Sequence, residues 1–227
     1  MNKLRPIYDI TPMTMLDYPG YLACIIWFSG CALRCSYCYN PHIVLDKQGK
    51  YTEEDALFFL DSRKKVLEGI VLSGGECTDY ENITDFCRKI KSSDLKIKID
   101  TNGTNPDIID ILLENRIIDY VALDYKAPEY KYTQICGCEL FENFSNTLDL
   151  LLDSNIHFEV RTTVGHDFMD FEDIKYIVDD LATRGYDDVY YIQKFQDTGF
   201  LLGNAKMGID ILKSNLTQLP LKIEIRE

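Results

Sequence analysis

The chain has 227 residues, of which 46% are hydrophobic and 27% charged, a composition typical of a globular protein with a full apolar core. Its formal net charge of −13 argues against a nucleic-acid-binding surface, which needs clustered lysine and arginine to neutralise phosphates. No stretch reaches about 18 apolar residues and the N-terminus lacks the apolar segment of a signal peptide, so we expect no membrane partner. We therefore expect a cytoplasmic location, where the eight cysteines are thiols or metal ligands rather than disulfides.

Strands and helices alternate along the chain. Runs rich in apolar, β-branched and aromatic residues predict seven strands, at 21–28, 69–73, 95–100, 117–125, 157–164, 188–195 and 221–226. Helices are predicted in the six intervals, at 53–67, 81–92, 106–116, 141–154, 171–184 and 206–216. Thr52 with Asp55 predicts a capping box, and Asn105 before Pro106 predicts an N-cap. The pattern favours a single α/β domain over residues 1–227, with parallel strands in a doubly wound sheet or in a complete or partial barrel.

Residues capable of chemistry follow the ends of successive predicted strands. They are Cys31–Cys38 after the first strand, Ser73–Glu76 after the second, Asp100–Thr104 after the third, Leu123–Lys126 after the fourth, Arg161 on the fifth and Gln193 near the end of the sixth. Because ligands bind at the carboxyl ends of parallel strands, we expect these residues to share one face of the fold.

The first of these segments, "GCALRCSYC", contains Cys31, Cys35 and Cys38. Four thiolates close every iron of a cubane iron–sulfur cluster, whereas three leave one iron open to a substrate. A zinc site completed by His42 is one alternative, and closure of a cluster by Cys77 as a fourth ligand is another.

The remaining cysteines show no metal-binding pattern. Cys24 lies mid-strand and Cys87 lies on a helix, so both are interpreted as core residues. Cys136 and Cys138 form a C-x-C pair, which is tighter than a usual Cys-x2-Cys site, and are interpreted as incidental thiols.

The glycine turn and the charged residues suggest a bound small molecule. Gly74 and Gly75 allow the backbone to approach a ligand closely, and Glu76 offers a carboxylate to an ammonium group. Lys126 lies two residues after Asp124 and is expected to pair with a carboxylate.

Two further sites follow from strand positions. Asp100 and Thr101 lie at the end of a strand, where ligand groups are expected, although "DTNG" is also a turn signal. Arg161 lies within a strand and needs a partner, either a ligand carboxylate or a local acid.

The sequence resembles the radical S-adenosylmethionine (SAM) superfamily over nearly its full length. Within it, the chain most resembles the activating enzymes of glycyl-radical enzymes, and above all the anaerobic ribonucleoside-triphosphate reductase activating protein family. The segments that carry the resemblance are "LDYPG" (16–20), "GCALRCSYCYNP" (30–41), "SGGE" (73–76), "DTNGT" (100–104), "DYVALDYKAP" (119–128) and "VRTTV" (160–164). Tyr39 replaces the usual histidine after the last cysteine, and Cys77 replaces a common proline.

The resemblance implies a partial (β/α)6 barrel with a [4Fe–4S] cluster on Cys31, Cys35 and Cys38. SAM would chelate the open iron, and one electron, from a donor such as flavodoxin or ferredoxin, would cleave it to methionine and a 5′-deoxyadenosyl radical. In the activating enzymes this radical takes a hydrogen atom from a backbone glycine of a partner enzyme.

The resemblance also implies individual roles around SAM. Tyr37 would contact the adenine, and Gly74, Gly75 and Glu76 the methionine. Asp124 and Lys126 match positions near the SAM carboxylate, and Asp100 and Thr101, with Asp124, match a monovalent-cation site. Arg161 and Gln193 are further cofactor-binding candidates.

Two other functions compete with an activating enzyme. One is a radical SAM enzyme that acts on a small molecule, such as a 7-carboxy-7-deazaguanine synthase, which would need a closed pocket rather than an open groove. The other is a zinc or electron-transfer protein, which would not bind SAM.

Overall fold

The computed structural model describes residues 4–165, 167–196, 199–203 and 216–226. Eight strands are present in these ranges: β1 Ile7–Thr14, β2 Ala23–Phe28, β3 Gly69–Gly74, β4 Lys96–Thr101, β5 Tyr120–Asp124, β6 His157–Val164, β7 Tyr190–Lys194 and β8 Ile223–Arg226. The helices are α1 Pro41–Leu45, α2 Glu53–Arg63, α3 Ile83–Lys91, α4 Pro106–Glu114, α5 Glu129–Cys136, α6 Phe141–Asp153 and α7 Phe171–Thr183, with a 3-10 helix at Cys77–Asp79.

Hydrogen bonds connect the strands in the order β1-β2-β3-β4-β5-β6-β7-β8. β1 runs antiparallel to β2, whereas β2, β3 and β4 are parallel, as are β6, β7 and β8. The order ends at β1 and β8, so the described strands form an open sheet. This confirms the predicted α/β class with mostly parallel strands, and an open sheet is consistent with a partial barrel.

All seven predicted strands are present, and five of the six predicted helices lie in the described ranges. The predicted helix at 206–216 falls almost wholly outside them. β1, α1 and α5 were not predicted. β1 carries Pro12 at a shift in its register with β2, and an edge strand tolerates proline because the missing N–H costs no bond on its outer side.

Contacts divide the chain into two compact units. The first comprises the described residues of Met1–Ala32, His42–Thr101 and Asn105–Val121, and the second those of Leu33–Pro41, Asn102–Thr104 and Ala122–Glu227. The prediction of one domain over residues 1–227 stays a prediction.

The first unit packs α2, α3 and α4 with β1 to β4. A buried cluster of Tyr18, Ala23, Ile25 and Val71 lies in this unit, and Trp27 and Tyr120 pack against it. The predicted capping box is confirmed, since Thr52 and Asp55 bond each other's backbone at the start of α2. Asn105 is the N-cap residue of α4 but does not cap it, because its side-chain amide donates to Thr78 Oγ1 and Asp79 Oδ1 instead.

The second unit contains α5, α6 and α7 with β6, β7 and β8, and α5 packs on α6. Leu148 and Leu151 are buried from α6, and Ile174, Ile177 and Leu181 from α7. None of the helices in the described part of the chain combines the length and apolar character that a bilayer-spanning helix needs.

Candidate functional site

The glycine turn after β3 holds the start of the cysteine loop. The amide of Gly75 donates to the Phe28 carbonyl and the amide of Glu76 to the Gly30 carbonyl, both at 2.9 Å. A Cβ at Gly75 would lie 1.9 Å from the Gly30 oxygen, and one at Gly74, whose φ is +122°, would lie 2.3 Å from the Phe28 nitrogen. Glycine is therefore needed at both positions, because a side chain would separate the turn from the backbone of Phe28 and Gly30, just before Cys31. The predicted approach of a ligand to these glycines stays a prediction.

Glu76 is a buried carboxylate that organises the turn. It is 2% exposed, and its Oε1 accepts hydrogen bonds from the Thr78 amide at 3.1 Å and the Thr78 hydroxyl at 2.7 Å. The Thr101 hydroxyl donates to the same oxygen at 2.9 Å. Glu76 thus caps the 3-10 helix and links the ends of β3 and β4.

Asp100 is paired with a lysine that the sequence analysis did not select. Lys98 Nζ donates to Asp100 Oδ1 at 2.6 Å, and Ser73 Oγ lies 3.4 Å from Asp100 Oδ2. A signal was present, because residues two apart on a strand share a face. The alternating pattern of the strand does not reveal that this face buries Lys98.

Cys77 lies in the same unit and is fully buried. Its Sγ is 3.6 Å from the Asp100 carbonyl oxygen, and burial, reinforced by the negative charge of Glu76, raises the pKa of the thiol well above its usual value. The alternative in which Cys77 closes a cluster stays open. Cys24 and Cys87 are buried in β2 and α3, which confirms their interpretation as core residues.

In the second unit, the C-terminus of α5 anchors the remainder of the cysteine loop. The amide of Arg34 donates to the Cys136 carbonyl at 2.7 Å and the amide of Ser36 to the Ile135 carbonyl at 2.9 Å. Gly137 ends α5 in the left-handed conformation, with φ +75°. A tight turn between Cys35 and Cys38 follows, closed by a 3.0 Å backbone bond.

The Cys35 thiol has a neighbour that the sequence analysis regarded as incidental. Cys136 donates a hydrogen bond to the Cys35 sulfur, and this bond, with help from the charge of Lys126, lowers the pKa of Cys35 despite its burial. Burial raises the pKa of the Cys38 thiol. Cys136 therefore favours the thiolate form of one predicted cluster ligand.

Tyr37 is buried in an aromatic stack within the second unit. Its ring lies on that of Phe168, with centroids 4.6 Å apart and planes 15° from parallel. Its hydroxyl lies 3.4 Å from the Lys126 carbonyl oxygen, and Phe168 also meets Phe195 edge to face. The predicted contact of Tyr37 with an adenine stays a prediction.

Asp124 joins two cations at the end of β5. Its Oδ2 accepts from Lys126 Nζ at 2.8 Å and its Oδ1 from Arg161 Nε. Burial would raise the pKa of Asp124, but attraction to Arg161 and Lys126 outweighs it and holds that pKa well below its usual range. Both expectations are confirmed: Lys126 pairs with a carboxylate, and Arg161 has a local acid. Arg161 also lies 3.9 Å from Glu159 Oε1, so this guanidinium is placed between two carboxylates.

A second ion pair lies beside Gln193 on the same strands. Gln193 pairs in register with Thr163 and Arg226. Arg226 donates from both terminal nitrogens to Glu159, at 2.9 and 2.7 Å, and its guanidinium lies 3.5 Å from the Tyr191 ring centroid. Sequence reasoning missed this pair because the two residues lie far apart in the chain.

The predicted site residues thus fall into two sets. Cys31, Gly74, Gly75, Glu76, Asp100 and Thr101 belong to the first unit, and Cys35, Tyr37, Cys38, Asp124, Lys126, Arg161 and Gln193 to the second. Their convergence on one site stays a prediction. Within the described ranges, no three His, Cys, Asp or Glu side chains are gathered as a metal site.

The donor set nonetheless suits an iron–sulfur cluster. Cys31, Cys35 and Cys38 are three thiols on one short loop, and thiolates are the ligands that such clusters use. The backbone around them is fixed by hydrogen bonds to Glu76 in one unit and to α5 in the other.

Known proteins of similar sequence and fold point in one direction. The family model of the radical SAM superfamily matches residues 25–182. A putative glycyl-radical enzyme activating enzyme of Methanocaldococcus jannaschii is 35% identical over 198 residues, which are 84% of this chain and 80% of that protein. The pyruvate formate-lyase-activating enzyme of Clostridium pasteurianum is 33% identical over 152 residues, 63% of this chain and 63% of that enzyme.

Structural similarity agrees at the level of the fold. Streptococcus suis SuiB bound to S-adenosylmethionine superimposes with a TM-score of 0.69 at 16% identity, covering 89% of this chain and 52% of that one. The family match covers more than half of the chain, and the archaeal relative covers more than two thirds of it. This protein therefore belongs to the radical SAM superfamily, and its relatives mark it as an enzyme of the glycyl-radical-activating type.

Proposed function

We propose that this chain, as a single radical SAM core, generates a glycyl radical on a partner enzyme and that the partner is an anaerobic ribonucleotide reductase. The observation that carries the proposal is the three-cysteine loop in a chain whose relatives include glycyl-radical enzyme activating enzymes. The choice of ribonucleotide reductase rests on the motifs "LDYPG", "DTNGT" and "DYVALDYKAP", which resemble the activating proteins of that reductase.

Membership of the superfamily implies a [4Fe–4S] cluster and SAM as cofactors. In the proposal, Cys31, Cys35 and Cys38 hold the cluster. When bound and reduced by a one-electron donor such as flavodoxin or ferredoxin, the cluster supplies the electron that cleaves SAM to methionine and a 5′-deoxyadenosyl radical. The hydrogen bond from Cys136 favours the thiolate that Cys35 must provide.

The charged residues of the second unit orient the methionine end of SAM. Lys126 and Arg161 both bind Asp124, and in the proposal these two cations also meet the carboxylate of SAM. Asp124 keeps both cations in place. In the proposal, the side-chain amide of Gln193 on β7 also binds SAM.

The first unit provides backbone and a buried acid. In the proposal, the backbone of Gly74 and Gly75, which packs against the backbone of Phe28 and Gly30, meets the SAM amino group on its other side. Glu76 keeps the turn in shape through Thr78 and Thr101, and its carboxylate contributes negative charge for the ammonium. In the proposal, Tyr37 contacts the adenine.

An exposed apolar segment supports a protein substrate. The segment contains three exposed apolar side chains: Met13 (61% exposed), Met15 (76%) and Leu16 (90%). Leu16 is the first residue of the "LDYPG" motif, and the two methionines lie just before it. Neighbouring exposed apolar side chains are typical of surfaces that bind another protein. In the proposal, this segment contacts the glycine-bearing loop region of the partner.

The test incubates the reconstituted protein anaerobically with SAM, dithionite and a candidate anaerobic ribonucleotide reductase. We expect an organic radical in the electron paramagnetic resonance spectrum of the reductase, with 5′-deoxyadenosine and methionine as products. A reductase in which the radical-bearing glycine is replaced by alanine is the matched control and should give no protein radical. SAM cleavage without a protein radical on any glycyl-radical partner would contradict the proposal and favour a small-molecule substrate.

A further inference from the structure

Lys98 is the least expected charged residue of the first unit. It lies on β4 and is only 2% exposed, whereas lysine is almost never fully buried unless it is paired. Its ammonium lies 2.6 Å from Asp100 Oδ1 and 5.9 Å from the centroid of the Tyr120 ring. The side chain is thus held between a carboxylate and an aromatic ring, the two kinds of group that bind a buried cation.

The position of this ammonium coincides with a predicted ligand site. The resemblance implies a monovalent-cation site at Asp100 and Thr101, with Asp124. Asp100 instead accepts from Lys98, and the Thr101 hydroxyl donates to Glu76. In the first unit, therefore, a protein cation already neutralises the acid that the cation was expected to bind.

The charges of the second unit point the same way. Asp124 is bound by both Lys126 and Arg161, so two protein cations already lie beside this carboxylate. An added monovalent cation would meet like charges beside either carboxylate, and such contacts are repulsive. The residues present do not fit a bound monovalent cation.

We propose that the Lys98 ammonium acts as a built-in monovalent cation, which fixes and neutralises Asp100 and makes the protein independent of K⁺ and Na⁺. The inference about Lys98 rests on the proposed function only in the experiment that measures SAM affinity. The unfolding temperature of the apoprotein tests it without SAM.

The experiment compares the native protein with Lys98→Ala in KCl, NaCl and choline chloride at equal ionic strength. Alanine removes the ammonium and leaves space beside Asp100. We expect the native unfolding midpoint to differ by less than about 1 °C between salts. Lys98→Ala should unfold on the order of 5–10 °C lower in choline, because one partner of a buried pair is lost, and should regain roughly 2–4 °C in K⁺ or Na⁺.

Lys96→Ala is the matched control. Lys96 lies on the same strand but is exposed and pairs with Asp119, so its removal should cause no cation-specific recovery. SAM affinity of the reconstituted native protein, measured by calorimetry, should change less than about twofold between K⁺ and choline.

Two results would overturn the inference. One is a native protein whose unfolding midpoint is several °C higher in K⁺ or Na⁺ than in choline, or whose SAM affinity is severalfold higher in those salts. The other is a Lys98→Ala variant that folds but responds to cations no more than Lys96→Ala. If Lys98→Ala does not fold, the salt series on the native protein decides. If the native protein binds no SAM, the proposed function fails, and the unfolding series still decides the role of Lys98.

Discussion

The amide of Glu76 donates to the carbonyl oxygen of Gly30 at 2.9 Å, so the glycine turn and the residue before Cys31 are held together by backbone. The glycine turn of this chain therefore has a structural role in addition to any contact with SAM. It fixes the place from which the cysteine loop begins.

Gly75→Ala tests this role. The new Cβ would lie 1.9 Å from the Gly30 oxygen, so the turn must separate from the loop. We expect a loss of about 2–3 kcal/mol in unfolding free energy, measured by urea denaturation, together with reduced iron content after reconstitution. Gly185→Ala is the control, because Gly185 has φ +90° in open space and should cost about 1 kcal/mol while iron is retained. Equal stability of the two variants would contradict the packing argument.

Cys35→Ala tests the cluster ligands. Removing one of three thiolates should abolish cluster assembly and SAM cleavage, while circular dichroism shows an intact fold. Cys24→Ala is the matched control, because Cys24 is buried in β2 and should lose about 1 kcal/mol of stability yet bind iron normally. A Cys35→Ala protein that still cleaved SAM would exclude the proposed ligand set.

Asp124→Asn tests the anion-binding group. Without the carboxylate charge, Lys126 and Arg161 repel each other and lose their common anchor. We expect about 2 kcal/mol of destabilisation at neutral pH and at least about a tenfold loss of SAM affinity by calorimetry. Asp179→Asn, which removes an exposed pair with Lys175, should change stability by less than about 0.5 kcal/mol. Unchanged SAM affinity in Asp124→Asn would argue against a role of this group in SAM binding.

Asp119 predicts a pH dependence of stability. Burial alone would raise its pKa, but hydrogen bonds from Lys91, the Ile97 amide and Lys96 outweigh burial and lower the pKa below 3.8. A carboxyl with a lowered folded pKa stabilises the protein above its unfolded pKa and loses this contribution as the pH falls through the folded value. Because the group is partly solvated, we expect Asp119→Asn to cost only about 1 kcal/mol at pH 7.

The same variant provides the sign test. In urea denaturation from pH 7 down to pH 3, the difference between native and Asp119→Asn proteins should shrink below about pH 4. Asp61→Asn, which removes an exposed pair with Lys64, should show little difference at either pH. A constant Asp119→Asn deficit at all pH values would mean that the carboxylate charge is not what stabilises this site.

The regular part of the fold was predictable from local sequence. The seven runs rich in apolar, β-branched and aromatic residues correspond to the strands β2 to β8. β1 was missed because Pro12 interrupts it, and its pairing depends on an edge position that local sequence does not reveal. α5 was missed because "EYKYTQIC" is largely polar, although Pro128 before it and Gly137 after it are typical helix boundaries.

The candidate site was predictable where its residues form motifs and unpredictable where they form pairs. The cysteine loop and glycine turn are contiguous, so their sequence alone locates them. The hydrogen bond between Cys136 and Cys35 joins distant segments and depends on tertiary packing. Lys98 was overlooked for another reason: the alternation in "KIKID" suggests a solvent-exposed face, whereas that face is buried at Lys98.

The central claim is that the three-cysteine loop binds a cluster with one iron open to SAM. The most direct measurement is electron paramagnetic resonance of the anaerobically reconstituted, dithionite-reduced protein with and without SAM. The account predicts a reduced [4Fe–4S] signal that changes when SAM is added. A cluster signal indifferent to SAM, or zinc bound in place of a cluster, would contradict it.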